Sequence, residues 1–277
     1  MTNNEIKVLD KGYIKLITHC GTDDYIAETA RVSTQSDGKD NKRLIRYLLR
    51  HSHLEPFEFA CIVLEVKAPI FVARQWFRQR MASYNEQSLR YTKSDLEFYM
   101  YDEEDQRIKD VINPDSEIYI NAYEYIFQTN ELQTSADAII YNEQIESGIP
   151  RELARINLPL STYTKFRFKI DLNNLIKFLN TRTDSHAQFE IQEYARAIET
   201  IFQELFPYTF EGYIDYIKES VSFSRMEMEI LKDFIEYAIN QYDLDEYMLT
   251  NLTESEQKEF LNKIGVRKWQ ITNLCKI

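Results

Sequence analysis

TYTKFRFKI, residues 162–170, alternates without a break: Phe166, Phe168 and Ile170 fall on one side, Lys165, Arg167 and Lys169 on the other. Side chains of an extended chain point to opposite faces with a period of two, so this segment reads as a half-buried strand with a basic face. Upstream, the apolar, β-rich run FEFACIVLEVK (57–67) reads as another strand. EIKVLDKGYIKLIT (5–18) reads as two short strands around a turn at Lys11 and Gly12. Helical patterns lie between and after them. They cover 24–32 and 41–51, the latter with Leu44, Ile45, Leu48 and Leu49 on one face. Pro69 suits the first turn of a helix through 69–80, and 114–147 is helical with Gly148 as its C-terminal cap. Pro150 opens PRELARI, and LNNLIKFLN and HAQFEIQEYARAIETIFQELF follow, the last ending at Pro207. The polar run MASYNEQSLRYTKSD (81–95) lacks a helical period and reads as an ordered loop. Beyond 220 the chain is acidic and helical, with a capping box at Thr253 and Glu256 and a stop at Gly265.

At 277 residues, one large domain is the better expectation. Lys and Arg total 33 against 45 Asp and Glu, a net charge of −12, which speaks against a general binder of nucleic acid or anionic membrane. Only 6 glycines occur, and no two are spaced for a GxGxxG turn or a phosphate-cradling loop, so side chains must hold any phosphorylated ligand. Cys20, Cys61 and Cys275 stand far apart in sequence and make no CxxC, so neither a disulfide framework nor a zinc site is expected. That pattern suits a reducing cytosol. The chain shows no signal-peptide pattern and no membrane-spanning run, so a soluble, cytoplasmic protein is expected.

Positive charge is concentrated in two places. Lys67, Arg74, Arg78, Arg80, Arg90 and Lys93 stand against Glu86 alone within 67–93. Arg151, Arg155, Lys165, Arg167, Lys169, Lys177 and Arg182 stand against Glu152 and Asp171 within 151–182. Any single arginine here is ordinarily solvated or paired with a surplus acid. The grouping suggests instead a small anionic ligand held locally. On a helix through 69–80, Arg74 and Arg78 lie one turn apart and Gln75 shares a face with Arg78. Ser83, Asn85, Glu86, Gln87, Ser88, Arg90 and Tyr91 then supply many hydrogen-bonding groups. Arginine suits bidentate recognition of a phosphate or of a planar carbonyl–imide edge, and a nucleotide offers both.

RQWFRQRMASYNEQSLRYT (74–92) resembles the signature of the flavin-dependent thymidylate synthases, an Arg-His-Arg with a serine after seven further residues. Arg78, Arg80 and Ser88 match it, and Gln79 stands in place of the histidine. The likeness extends, in order, through ARVS (30–33), HSHLEPFEF (51–59), KAPIFVARQW (67–76), ARINLPLSTYTKF (154–166) and TRTDSHAQFEIQEYA (181–195), covering about residues 5–218. It implies a mixed α+β fold, a twisted, largely antiparallel sheet flanked by helices. Residues 1–220 would form that domain; the tail lies outside the likeness, and its own acidic, helical pattern makes 221–277 a helical C-terminal extension. The likeness also implies a homotetramer with active sites built from several subunits, FAD as cofactor, NADPH and methylenetetrahydrofolate as co-substrates, and dUMP as acceptor. By matching position, Gln75, Arg78, Glu86, Gln87, Ser88, Arg90, Arg155 and Arg182 would hold dUMP. Arg182 would be the catalytic residue, set against the uracil to favour its ionised form. Ser33, Glu55, Arg78, Gln79, Arg80, Glu86, Asp171, Asn173 and Lys177 would line the flavin. His53 is a candidate for the pocket where folate or nicotinamide meets the flavin, and His186, expected to begin a helix after Asp184, is a second.

The residue inventory agrees with that chemistry. None of the cysteines has the electropositive surroundings of an activated thiol. Ser88 has no neighbouring histidine to activate it, so a ligand-binding hydroxyl is the better reading. No metal site is expected from the four histidines. Gln79 can donate and accept hydrogen bonds as a neutral histidine does, but it cannot carry a proton's charge. Glu55 adds negative charge at a flavin-side position. Three readings stay open: dUMP methylation; a related flavin and folate enzyme acting on C5 of another pyrimidine nucleotide such as UMP; and a weakened or silent nucleotide- or flavin-binding homologue, for which Gln79 is the support.

Overall fold

A computed structural model describes residues 5–34, 38, 40–91, 96–101, 105, 107, 117–241 and 252–264. The chain divides into two compact units, Met1–Glu219 and Ser220–Ile277. The first holds strands β1 (Glu5–Val8), β2 (Gly12–Cys20), β3 (Cys61–Pro69), β4 (Ser83–Glu86) and β5 (Tyr163–Asp171). Its helices are α1 (Asp23–Thr34), α2 (Asn41–Arg50), α3 (Ile70–Trp76), α4 (Glu117–Glu146), α5 (Arg151–Ala154), α6 (Leu172–Arg182), α7 (Phe189–Leu205) and α8 (Pro207–Tyr213). The second unit holds α9 (Arg225–Gln241) and α10 (Glu254–Ile264). The expected capping box is formed there: Thr253 N–H donates to Glu256 Oε2 at 2.9 Å, and Glu256 N–H donates to Thr253 Oγ1 at 3.4 Å. Gly265, Lys93 and Cys275 lie outside the described residues.

The five strands form one antiparallel sheet in the order β1-β2-β3-β5-β4. Its inner face follows from the alternation of β5. Phe166, Phe168 and Ile170 are buried and sit opposite Val66, Leu64 and Ile62 of β3, all buried too. Trp76, at the end of α3, closes that face. Its ring lies 5.4 Å from those of Phe166 and Phe168, 5.2 Å from Phe178 of α6 and 5.8 Å from Tyr194 of α7. Each such aromatic contributes roughly 2–3 kcal/mol by burial, with a further ~1 kcal/mol for edge-to-face pairs. The outer face is polar: Lys15, Glu65, Arg167 and Asn85 occupy one row across β2, β3, β5 and β4. Glu65 accepts there from Arg167 at 2.9 Å and from the Tyr13 hydroxyl at 3.1 Å.

Several expectations need correction. Residues 57–60 are not strand; Pro56 and Phe57 belong to a 3-10 turn over Glu55–Phe59, closed by Phe57 N–H donating to Leu54 O at 3.1 Å, and β3 starts at Cys61. Within 81–95, Ser83–Glu86 is an edge strand rather than loop. The helix expected through 69–80 ends at Trp76. The first hairpin turns through Leu9, at φ 58°, and Gly12 lies inside β2. Glycine is needed at Gly12 for close approach: a Cβ there would come 1.9 Å from the Tyr194 hydroxyl. His186 does not begin a helix; α7 starts at Phe189.

Candidate active site

The β4–β5 pairing assembles the first part of the site. Gln87 N–H donates to Lys165 O at 2.8 Å, which carries the pairing one step past Glu86 and aims the following chain across β5. The result is a 300 Å³ cavity whose walls include Glu86, Gln87, Ser88, Arg90, Arg155 and Thr164. Thr164 Oγ1 donates to Glu86 Oε1 at 2.8 Å, and Arg90 Nε donates to Ser88 Oγ at 3.1 Å. The Arg90 guanidinium also lies over the Tyr91 ring at 4.9 Å. Pro150 starts α5, which delivers Arg155 to the same cavity, and Arg155 makes no ion pair among the described residues. Five of the eight residues expected to hold dUMP therefore share one cleft.

The other three, Gln75, Arg78 and Arg182, meet at the end of α3. Arg78 N–H donates to Gln75 O at 3.3 Å and Gln79 N–H to Trp76 O at 3.0 Å, so the chain leaves the helix in a tight turn. The Tyr84 hydroxyl pins that turn, donating to Gln79 O at 2.8 Å and to Trp76 O at 3.3 Å. Burial pushes the Tyr84 phenol up to about 12, with nearby Arg182 pulling the other way. Arg182 ends α6, and its Nη2 donates to Gln75 O at 3.1 Å while its Nε is buried without a partner. Burial, and secondarily the charge of Arg78, pushes the Arg182 guanidinium below its ordinary value, with Tyr84 opposing. The Gln75 amide donates to the side chain of Gln188, the residue that precedes α7. Arg78 and Arg80 are exposed and pair with no acid among the described residues.

A third cluster lies between α1, α2 and the 3-10 turn. Ser33, His53 and Glu55 line a 780 Å³ cavity with the aromatic rings of Tyr25, Tyr47 and Phe59. The His51 ring lies 4.4 Å and the His53 ring 6.3 Å from that of Tyr47. Ser52 between them takes φ 57°, which turns the chain sharply after α2. Two of the other expected flavin-side residues, Asp171 and Asn173, have visible structural duties. Asp171 is the N-cap of α6, accepting from Asn174 N–H at 2.9 Å. Asn173 is buried and donates to Glu58 Oε1 at 2.8 Å, which leaves its own Oδ1 without a partner. Lys177 is exposed. His186 is 95% exposed and contacts Asp184 at 2.8 Å, where the His186 N–H and ring hold the Asp184 carboxyl below its usual range. Tyr84 and Gln188 were not expected at the site. Tyr84 did carry a signal, as the one aromatic within the polar run 81–90.

Residues 15–208 match the family described as thymidylate synthase complementing protein, Thy1. A flavin-dependent thymidylate synthase from Thermotoga neapolitana is 44% identical over 220 residues, covering 76% of this chain and 95% of that protein. One from Wolbachia pipientis is 39% identical over 277 residues, covering 96% of this chain and 89% of that protein, so that likeness runs into the second unit. Among solved structures, the UMP/dUMP methylase PolB from Streptomyces cacaoi, bound with 5-Br dUMP, superposes with a TM-score of 0.67 at 29% identity. That superposition covers 78% of this chain and 100% of PolB.

Proposed function

The chain belongs to the flavin-dependent thymidylate synthase family, and from that premise we propose that it reductively methylates C5 of dUMP to give dTMP. FAD would be the cofactor, methylenetetrahydrofolate the carbon donor and NADPH the electron source. The observation that carries this reading is Arg182. A half-buried guanidinium whose Nε has no partner, set beside Arg78 and without a carboxylate among the described residues, is in a costly state. A planar, acceptor-rich group that takes on negative charge relieves it. The ionised imide edge of uracil is such a group, and a charge-assisted hydrogen bond from Arg182 favours the anion. The same contact then stabilises charge developing on the ring during methyl transfer. Arg182 is the catalytic residue in this reading, with Gln75 orienting the base.

Ser88, Arg90 and Arg155 supply two cations and a hydroxyl to one 300 Å³ cavity, which suits a phosphate held without glycine. Glu86 and Gln87, on the same wall, would fix the sugar. For the flavin, the fit rests on the 780 Å³ cavity: its tyrosine, phenylalanine and histidine rings offer flat apolar walls to a planar ring system. Of the expected flavin residues, Ser33 and Glu55 line that cavity and would hold the flavin there. Arg78, Gln79, Arg80, Glu86, Asp171, Asn173 and Lys177 lie outside its lining and would reach the flavin beyond it, the unpartnered Asn173 Oδ1 being an acceptor in want of a donor. Bound, the flavin supplies the stored reducing equivalents. His53 would place the folate or nicotinamide at the same cavity, and His186 would join from a fully solvated position. A homotetramer in which subunits complete one another's sites belongs to the same proposal and is supported by the likeness to the family.

PolB, named as acting on UMP as well as dUMP, favours UMP as a second substrate to test. Purified protein is supplied with FAD, NADPH, methylenetetrahydrofolate and either nucleotide, and the methylated product is quantified by chromatography. The expected result is dTMP from dUMP, with UMP slower. No product, together with no dUMP-induced change in the flavin spectrum, overturns the reading.

A further inference from the structure

The sheet register sets two cysteines against each other that the sequence keeps apart. Cys20 is the last residue of β2 and Cys61 the first of β3, and they are direct partners in the antiparallel pairing. Directly opposed residues point to the same face, with Cα atoms about 4.5–5.5 Å apart, inside the roughly 4.4–6.8 Å that a disulfide spans. Both are free, Cys20 exposed and Cys61 partly so. The row continues to Asp171 of β5, opposite Cys61, whose carboxylate is turned onto Asn174 as the cap of α6.

Their place in the fold makes the pair more than a coincidence of register. Directly after Cys20 comes Gly21, at φ 83°, where a Cβ would come 2.9 Å from that of Ala60. The chain then enters α1, whose Tyr25 and Ser33 line the 780 Å³ cavity; the turn just before Cys61 brings Glu55 and Phe59 to it. The two thiols therefore sit where two walls of that cavity are rooted in the sheet.

We propose that Cys20 and Cys61 form a dithiol that closes reversibly into a disulfide by exchange with a small-molecule disulfide, tying those two walls together. The Cys20 thiolate attacks the small disulfide, forming a mixed disulfide and releasing one small thiol. The Cys61 thiolate then attacks Cys20 Sγ, forming the internal bond and expelling the second small thiol. Two protein thiols are oxidised, losing two electrons and two protons, and the small disulfide is reduced by the same count. Cβ atoms of opposed residues stand about 4.5–5.5 Å apart and a disulfide prefers about 3.8 Å, so the strand ends must draw together. Strained, exposed disulfides are the readily reduced kind, which makes the bond reversible.

The test uses the full chain with Cys275→Ser, incubated with oxidised glutathione, alkylated and peptide-mapped without reduction. The expected product is a linked pair of peptides carrying Cys20 and Cys61, opened again by millimolar reduced glutathione. In a Cys61→Ser variant the reaction stops at glutathione on Cys20. Hydrogen exchange of 21–33 and 53–60 slows in the oxidised form. Cys20 that stays glutathionylated beside an alkylatable Cys61, a bond that resists reduced glutathione, or unchanged exchange in both segments overturns the proposal. No step depends on the methylation reading, so failure here leaves that reading untouched.

Discussion

Tyr84→Phe separates the packing of the site from its polar restraint. The ring itself is held by stacking on Phe168, at 5.4 Å and 25°, and by an edge contact with Phe77 at 4.9 Å, and phenylalanine keeps both. What disappears is a hydroxyl shared between Gln79 O and Trp76 O, the two carbonyls at the turn that carries Arg78, Gln79 and Arg80. Losing a net hydrogen bond costs about 1 kcal/mol, and a carbonyl left without its donor adds a fraction of a further 1–3 kcal/mol. Against this, no phenol has to be stripped of water. A net loss of about 1–2 kcal/mol follows, lowering Tm by about 3–6 °C in a unit of this size. If dUMP binding must restore the lost order, a cost of ~1.4 kcal/mol weakens binding about tenfold. Calorimetry measures both quantities, as Tm by scanning and as Kd by dUMP titration. A fall in Tm with dUMP affinity unchanged within about twofold would show that the hydroxyl supports the fold alone and refute its role in ordering the site.

Arg182→Ala is expected to cut dTMP formation by at least about 100-fold while flavin content and Tm stay near wild type, since Arg182 holds no acid among the described residues; turnover near wild type removes its assigned role. Gln79→His tests the departure from the family signature: a large gain in dTMP formation marks Gln79 as a weakening change, and equal rates mark it as a tolerated contact. Gly12→Ala forces a methyl to within 1.9 Å of the Tyr194 hydroxyl and 2.6 Å of Val8 O, so Tm should fall by the equivalent of about 1–3 kcal/mol; an unchanged Tm contradicts that packing. Tyr13 and Tyr84 are pushed from 10.0 up to about 12 by burial, Tyr13 with help from Glu65. Their folded-state pKa values lie above the unfolded one, so the stability linked to their protons is complete below pH 10 and is lost as pH rises towards about 12. Tyrosinate absorbance and helical circular dichroism should then change together in that window, and full tyrosinate absorbance with ellipticity retained would refute the linkage.

The parts of the fold legible in the sequence are those where one physical demand dominates. Lys165 to Ile170 alternates because one face of β5 meets Trp76 and Phe178 and the other meets water. Gly148 closes α4 at φ 85°, a conformation other residues rarely take. Edge strand β4 sends a single side chain, Tyr84, against the core, so its residues show no apolar period. Residues 57–60 mislead in the other direction, because Phe57 is apolar for burial in a 3-10 turn rather than in a strand. The end of α3 has no stop residue at all: the Tyr84 hydroxyl, which takes up the Trp76 and Gln79 carbonyls, contributes to stopping it, and that partner is supplied by tertiary structure. The cavity that joins Ser88 to Arg155 likewise depends on strand pairing, so the residue types were readable while their meeting was not.

Lack of an acidic partner does not by itself mark a functional arginine. Arg43 and Arg74 are also without one among the described residues, and exposed pairs are worth so little that leaving a surface cation alone costs almost nothing. Elsewhere the surplus acid does find its cations: Arg46 meets Glu211 and Asp215 at 2.9 and 2.6 Å, Arg107 meets the buried Glu190 at 2.7 Å, and Lys218 meets Glu199 at 2.7 Å. Arg182 differs from both groups. It is drawn partly out of water, a second arginine raises the cost of its charge, and the acceptors in reach are backbone rather than carboxylate. An ion pair inside the fold would have neutralised it and closed the space to ligand. Among the described residues Gln75 O is its one hydrogen-bond acceptor, and under the proposed function the remaining donors would serve the pyrimidine.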